Sequence, residues 1–385
     1  MRAVIYLNIK NSLIYADNAA TSILDEEALE AMKPFLLEEY SNVSQPYSFS
    51  RKSKKALIEA RNTIAACINA SPEEIFFTSG GTESNNWAIK GIMLFSKEKK
   101  GIITSNIEHL AVLKPCETMK EFGCRVKYLE ADTNGYICLE ELKKAIDKKD
   151  RLVSIMMANN EIGTIQNIKE MSRIAHDEGI LFHTDAVQAL GHLEIDVQDL
   201  KIDLLSASAH KFNGPKGIGF LYIKNGTKVR SLIEGGSQEN KLRAGTENVA
   251  YIVGMAVALK KNCDKLYDST IYLKELESAF YEILDDYEVE YKINGGGKRI
   301  PGNINISIKD NDGEMILHRL DLMGICISTG SACDGGNTNI SHVIEAIDVP
   351  KNYARGTIRI SLSSKNTKKE VNEIANSIVK IVKKR

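Results

Sequence analysis

The sequence predicts an α/β fold: a mostly parallel, seven-stranded sheet in a large domain, joined by a smaller α+β domain. Three observations carry this. Short runs rich in β-branched and aromatic residues alternate with segments of helical period along most of the chain. Several of those runs are apolar throughout rather than alternating, as strands are when helices cover both faces of the sheet. The 385 residues also exceed the roughly 250–300 at which one hydrophobic core stops growing, so a second unit is expected.

In chain order, the start MRAVIYLNIKNSLIY has a short β-like pattern. DEEALEAMKPFLLEEY then has a helical period, and KKALIEARNTIAACINA repeats it with a charged outer face. Seven strand-like runs follow: EIFFTSG, GIITSNI, CRVKYLEA, RLVSIMMANN, GILFHTDA, DLLSASA and IGFLYIK. From Tyr251 to Tyr287 the pattern reads as one long helical stretch. Beyond it, NINISI and ICISTG read as strands, and Glu314 to Leu322 and Lys368 to Val382 as helices. The expected division is a large domain over residues 15–260 and a small one built from residues 1–14 and 261–385.

Composition narrows the function. With 50 basic and 51 acidic residues, the overall charge gives no long-range attraction for nucleic acid or anionic lipid. No apolar run reaches the roughly 20 residues that span a bilayer, and the N-terminus lacks a signal-peptide cleavage pattern, so a cytoplasmic enzyme is expected. Seven cysteines form no C-x-x-C pair and no metal-ligand spacing, which predicts reduced thiols and no metal site. Six of them are expected to be small core hydrophobes. Cys333 differs, because STGSACDGGNTN has little apolar material and reads as a loop whose thiol can reach into a cleft.

In open α/β sheets, ligands gather at the carboxyl ends of the strands. After EIFFT comes SGGTESNN, where Gly81 and Thr82 open a helix whose free N–H groups suit a phosphate. It is neither a Walker A loop nor a G-x-G-x-x-G fingerprint, so nucleotide binding is not supported. After the later runs come Glu108 and His109, then Asn159 and Asn160, then Asp185 and Gln188, and finally His210 and Lys211 in SASAHKFNGPKG. An amine, a carboxylate and a phosphate cradle at one sheet edge are what a pyridoxal phosphate site demands. The lysine links to the coenzyme, the carboxylate keeps the pyridine nitrogen protonated, and the helix start holds the phosphate.

HTDAVQ, SAHK, TSGGTESNN, ANNEIGT, RAGTENV and STGSAC, in this order, closely resemble the NifS/IscS group of cysteine desulfurases, from about Tyr15 to about Ser361. The resemblance implies a fold-type I pyridoxal phosphate enzyme, a homodimer, that takes sulfur from L-cysteine and leaves L-alanine. It implies that Lys211 holds the coenzyme covalently, Asp185 pairs with the pyridine nitrogen, and His109 stacks on the ring and assists proton transfer. Asn160 and Gln188 would contact the phenolic oxygen. Thr82, Ser208 and His210 would hold the phosphate, with Thr246 reaching in from the other subunit. Arg359 would clamp the substrate carboxylate, helped by Asn42, and Cys333 would attack the substrate sulfur and carry it as a persulfide to an acceptor, an iron–sulfur scaffold or a tRNA-thiolating enzyme.

Two departures from the family pattern stand out. Asp334 follows Cys333, and its charge is expected to disfavour the thiolate. In YSNVSQPYSFSRK, Val43, Gln45, Tyr47 and Ser50 replace the usual proline, serine, histidine and glycine; the loop is still expected to close the entrance through Asn42, Ser44 and Arg51. The rival reading is another enzyme of the same fold, an aminotransferase or a selenocysteine lyase, and a catalytically silent binding subunit is a second.

Overall fold

The computed structural model describes residues 13–96, 100–329 and 340–383. Its strands are β1 (Ile14–Tyr15), β2 (Ile75–Thr78), β3 (Gly101–Ser105), β4 (Arg125–Leu129), β5 (Asp150–Ser154), β6 (Leu181–Asp185), β7 (Leu204–Ser208), β8 (Gly219–Ile223), β9 (Tyr291–Ile293), β10 (Asn303–Ile308), β11 (Ile325–Cys326) and β12 (Thr357–Ser361). The seven apolar runs form one sheet in the order β2-β8-β7-β6-β5-β3-β4, with β8 alone antiparallel to its neighbours.

Successive side chains of a strand point to opposite faces, and here both faces are covered. Val153, Leu205 and Phe220 enter a core on one face, while their neighbours Leu152, Leu204 and Leu221 enter a second core around Trp87 on the other. Uniformly apolar runs follow from that arrangement, each large buried side chain contributing roughly 1.5–3 kcal/mol. The edge strand β4 departs from it: Arg125 and Tyr128 are exposed, as suits a strand with one neighbour.

A three-stranded antiparallel sheet, β12-β10-β9, builds a separate core in which Ile304, Ile306, Ile358 and Ile360 pack with Phe280, Ile374 and Ile378. Parallel pairing of β1 with β11 brings Ile14 and Ala16 into this core. NINISI alternates, so its isoleucines face that core while Asn303, Asn305 and Ser307 line the other face. Asn305 donates to the carbonyl of Glu161 at 3.1 Å, tying the polar face to the loop after β5. Arg359 is the register partner of Asn305 and lies on this same polar face, which is what turns its guanidinium towards the large sheet.

Two expectations are corrected. The stretch from Tyr251 to Tyr287 is two helices, Val249–Asp264 and Leu266–Asp286, separated at Lys265. Ile252, Met255 and Leu259 face the large core and Leu276, Phe280 and Leu284 the small one, so the apolar face must change direction between them. Of the six cysteines other than Cys333, only Cys116 and Cys124 are buried; Cys138, at the start of the short helix Leu139–Ala145, is exposed, and the other three are half-buried. A helical or apolar context placed these thiols near the core surface but did not bury them.

Candidate active site

The strand ends leave a cavity of about 750 Å³, lined from both sheets. On the large-sheet side, β6 ends at Asp185, 5% exposed, whose oxygens accept from Asn85 Nδ2 at 2.6 Å and from the Val187 N–H at 2.9 Å. Behind it, on the same face of β6, His183 is completely buried. Its Nδ1 lies 2.8 Å from Ser154 Oγ and its Nε2 3.0 Å from Ser206 Oγ, and burial pushes its pKa down to about 3. A neutral histidine between two hydroxyls therefore locks three neighbouring strands beneath the carboxylate.

Strand β7 ends at Ser208, and the one-turn helix Ala209–Lys211 carries the lysine to the cavity wall. Lys211 Nζ donates to the carbonyls of Ala19 at 2.6 Å and Ala20 at 2.8 Å. His210 Nδ1 lies 3.1 Å from Thr21 Oγ1, and burial, helped by the charge of Lys211, pushes its pKa down to about 4. His109 caps the helix Leu110–Glu121, its Nδ1 accepting from the Ala111 N–H at 3.0 Å. Burial lowers its pKa against the opposing charge of Asp185, so the neutral ring carries its proton on Nε2.

The turn after β2 brings the helix Gly81–Phe95 to the cavity with Gly80 at φ 147°, a region that favours glycine. Strand β8 passes so close that a Cβ on Gly219 would stand 2.8 Å from the Cα of Gly80. The N–H groups of Gly81 and Thr82 find no acceptor among the described residues, and Ser208 and His210 line the same cavity. Two unpartnered amides at a helix start, a lysine amine, a held carboxylate and this volume fit pyridoxal phosphate.

From the small sheet, Arg359 enters with its side chain 5% exposed; its Nη2 lies 2.8 Å from Asp17 Oδ1, its Nη1 donates to the Asn160 carbonyl at 3.1 Å, and its buried Nε–H has no partner among the described residues. Asn160 and Gln188 also line the cavity, Gln188 Nε2 donating to the Ala19 carbonyl at 2.9 Å.

Not every expected residue is there. Thr246, expected to serve the other subunit's site, is exposed and outside the lining of its own cavity. Asn42 is outside it as well: its Oδ1 accepts from the Ser44 N–H at 2.9 Å. No residue of the 42–51 loop lines the cavity. Ser50 Oγ ties it to the carbonyls of Gln45 and Tyr47, and Phe49 meets Tyr40 edge-on at 5.3 Å, so the loop folds back on its own helix. Cys333 and Asp334 lie outside the described residues. Sequence reasoning missed Asp17, Asn85 and the Ser154–His183–Ser206 relay. Asn85 was the findable one, since it stands four residues after Gly81, on the same helix face.

The chain matches the family model described as aminotransferase class-V over residues 14–374. It is 48% identical over 373 residues to the cysteine desulfurase IscS of Dictyoglomus turgidum, covering 96% of this chain and 95% of that protein. It is 44% identical over 379 residues to the cysteine desulfurase IscS of Methanosarcina thermophila, covering 98% and 94%. Among solved structures, a NifS-like protein superposes with a TM-score of 0.91 at 38% identity, covering 96% of this chain and 99% of that one. SspA in complex with cysteine superposes with a TM-score of 0.82 at 36% identity, covering 92% and 100%.

Proposed function

Because this chain belongs to the class-V aminotransferase family and is, within it, a pyridoxal phosphate-dependent cysteine desulfurase, we propose that the strand-end cavity is its active site, with Lys211, His109 and Cys333 as catalytic residues. The observation that carries this reading is the meeting of the Lys211 amine, the Asp185 carboxylate and the Arg359 guanidinium in the lining of one cavity. An aminotransferase or a selenocysteine lyase is not favoured, given relatives at 44–48% identity over nearly the whole chain.

Pyridoxal phosphate supplies a carbonyl for an amine and an electron-withdrawing ring that stabilises negative charge at the substrate α-carbon. Asp185 would hold the pyridine nitrogen, with Asn85 and the Val187 N–H keeping the carboxylate aimed. Gly81, Thr82, Ser208 and His210 would take the phosphate, and Asn160 and Gln188 the phenolic oxygen. Lys211 takes and returns a proton at Nζ, and His109 works through its Nε2 edge, its Nδ1 being engaged by the Ala111 N–H.

Arg359 orients L-cysteine by its carboxylate. The Cys333 thiolate then attacks the substrate sulfur: the Cβ–S bond breaks, an S–S bond forms, and the electron pair left on carbon is taken up with a proton to give L-alanine. The carbon skeleton is reduced as the sulfur is oxidised, so no outside oxidant enters. The persulfide passes to a second protein, an iron–sulfur scaffold or a tRNA-thiolating enzyme.

The enzyme works as a cytoplasmic homodimer. In that reading Thr246, which is exposed and outside its own cavity, would serve the site of the second copy. No helix among the described residues is long and apolar enough to cross a membrane.

Mass spectrometry after exposure to L-cysteine tests the nucleophile. One added sulfur atom on the peptide containing Cys333, and loss of alanine release in Cys333→Ser, are expected. Undiminished alanine release in that variant would refute the thiol's role.

A further inference from the structure

The clamp end of the cavity holds an acid that the proposed reaction does not use. Asp17 follows β1, and its backbone bridges to Ser361 beside Arg359. The turn it opens is held from several sides. Asn18 Nδ2 donates to the Ser361 carbonyl at 2.9 Å, and the Ala19 N–H to Ser361 Oγ at 2.9 Å. At its far end the Ala19 and Ala20 carbonyls receive Lys211. The Asp17 carboxylate, its side chain 19% exposed, is thus mounted on a fixed backbone at 2.8 Å from the Arg359 guanidinium.

Charge decides what this does. The other acceptor on Arg359 is a neutral carbonyl, so Asp17 is the one anion on this fork among the described residues. A substrate α-carboxylate arriving at Arg359 becomes a second anion at the same guanidinium. Like charges a few ångströms apart in a partly desolvated site repel strongly, and one must yield.

We propose that Asp17 is a specificity-determining counter-ion that competes with incoming carboxylates for Arg359, so that a ligand bringing only a carboxylate binds poorly. An α-amino acid, which also engages the Lys211 end through its amine, overcomes the competition. Asp17 thereby favours amino acids over simple carboxylates. The inference rests on the reading of Arg359 as the carboxylate clamp.

The test measures dissociation constants on the cofactor-loaded protein by titration calorimetry, with two probes. The first, 3-mercaptopropionate, has a thiol and a carboxylate but no amine; the second, cysteamine, has a thiol and an amine but no carboxylate. Asp17→Asn, which keeps an acceptor for the guanidinium but removes the charge, is expected to bind 3-mercaptopropionate about tenfold more tightly and cysteamine unchanged. Arg359→Lys is expected to weaken 3-mercaptopropionate.

Unchanged or weaker 3-mercaptopropionate binding in Asp17→Asn, with Arg359→Lys still weakened, overturns the competition while leaving the clamp in place. Equal shifts for both probes in Asp17→Asn overturn it too, since a loosened turn would cause them. No change in Arg359→Lys overturns the clamp and this inference together. If Asp17→Asn fails to fold, Asp17→Ser carries the same expectations.

Discussion

The two ends of the cavity are built on different physical terms. At the Lys211 end, side chains stand at the carboxyl ends of parallel strands, and Asp185 rests on Asn85 and the neutral Ser154–His183–Ser206 relay. Beside that carboxylate and the lysine, hydrogen bonds between buried uncharged groups add rigidity there. At the Arg359 end, a guanidinium from the middle of an antiparallel strand meets a carboxylate 342 residues away in the chain, and its Nε–H is left without a partner among the described residues. The first end is a fixed seat. The second holds an ion pair that a ligand can exchange, and the contrast suits a coenzyme that stays and a substrate that comes and goes.

Substitutions should separate the two ends, the largest effect coming at the seat. Lys211→Ala is expected to lose at least about 1000-fold in kcat and to hold no coenzyme covalently. Asp185→Asn should follow, losing about 100-fold in kcat, as expected when a positioned charge is removed from a preorganised site. Arg359→Lys should instead raise KM for cysteine about tenfold or more with a smaller change in kcat, because a point charge replaces a planar fork. Steady-state kinetics checks all three, and a kcat loss in Arg359→Lys as deep as in Lys211→Ala would erase the distinction between the ends.

Stability against pH sharpens the comparison further. The pKa of His183 is depressed to about 3 and that of His210 to about 4, chiefly by burial, against an ordinary value of 6.5. Their contribution is present above about pH 6.5 and is lost as pH falls towards the folded values, because the unfolded chain gains protons that the folded one refuses. The melting temperature should therefore drop between about pH 6.5 and 4, and less steeply in His183→Asn.

Glu108 gives an effect of opposite sign. Burial raises its pKa from 4.5 to about 8, although Ser105 Oγ and the Met156 N–H donate to it. Its contribution is present below about pH 4.5 and is lost as pH rises through about 8. Glu108→Gln should melt a few degrees higher than the parent at pH 8.5 and at nearly the same temperature at pH 4.5; equal shifts at both would contradict it.

The same contrast governs what could be read from sequence. A ligand site at parallel strand ends announces itself locally, since an apolar run stops and a polar residue follows; Asp185, Lys211 and the Gly81 helix start could be picked out that way. Nothing local marks Arg359, which is one residue of an alternating strand, and its place was inferred from the family likeness. Asp17 reaches the site only through the pairing of β1 with β11 and its bridge to Ser361, which no periodicity encodes. Asn42 shows the converse: its Oδ1 is engaged within its own loop by the Ser44 N–H, and it does not line the cavity. The break at Lys265 was hidden because helical period continues across it while the face changes direction.

The central claim is that the Lys211 amine, and no other, carries the coenzyme at this strand-end seat. Borohydride reduction of the protein loaded with pyridoxal phosphate, followed by peptide mapping, tests it directly. The account predicts a phosphopyridoxyl group on the peptide containing Lys211. The group on another lysine, such as Lys216 of the same cavity wall, or on none, would contradict it.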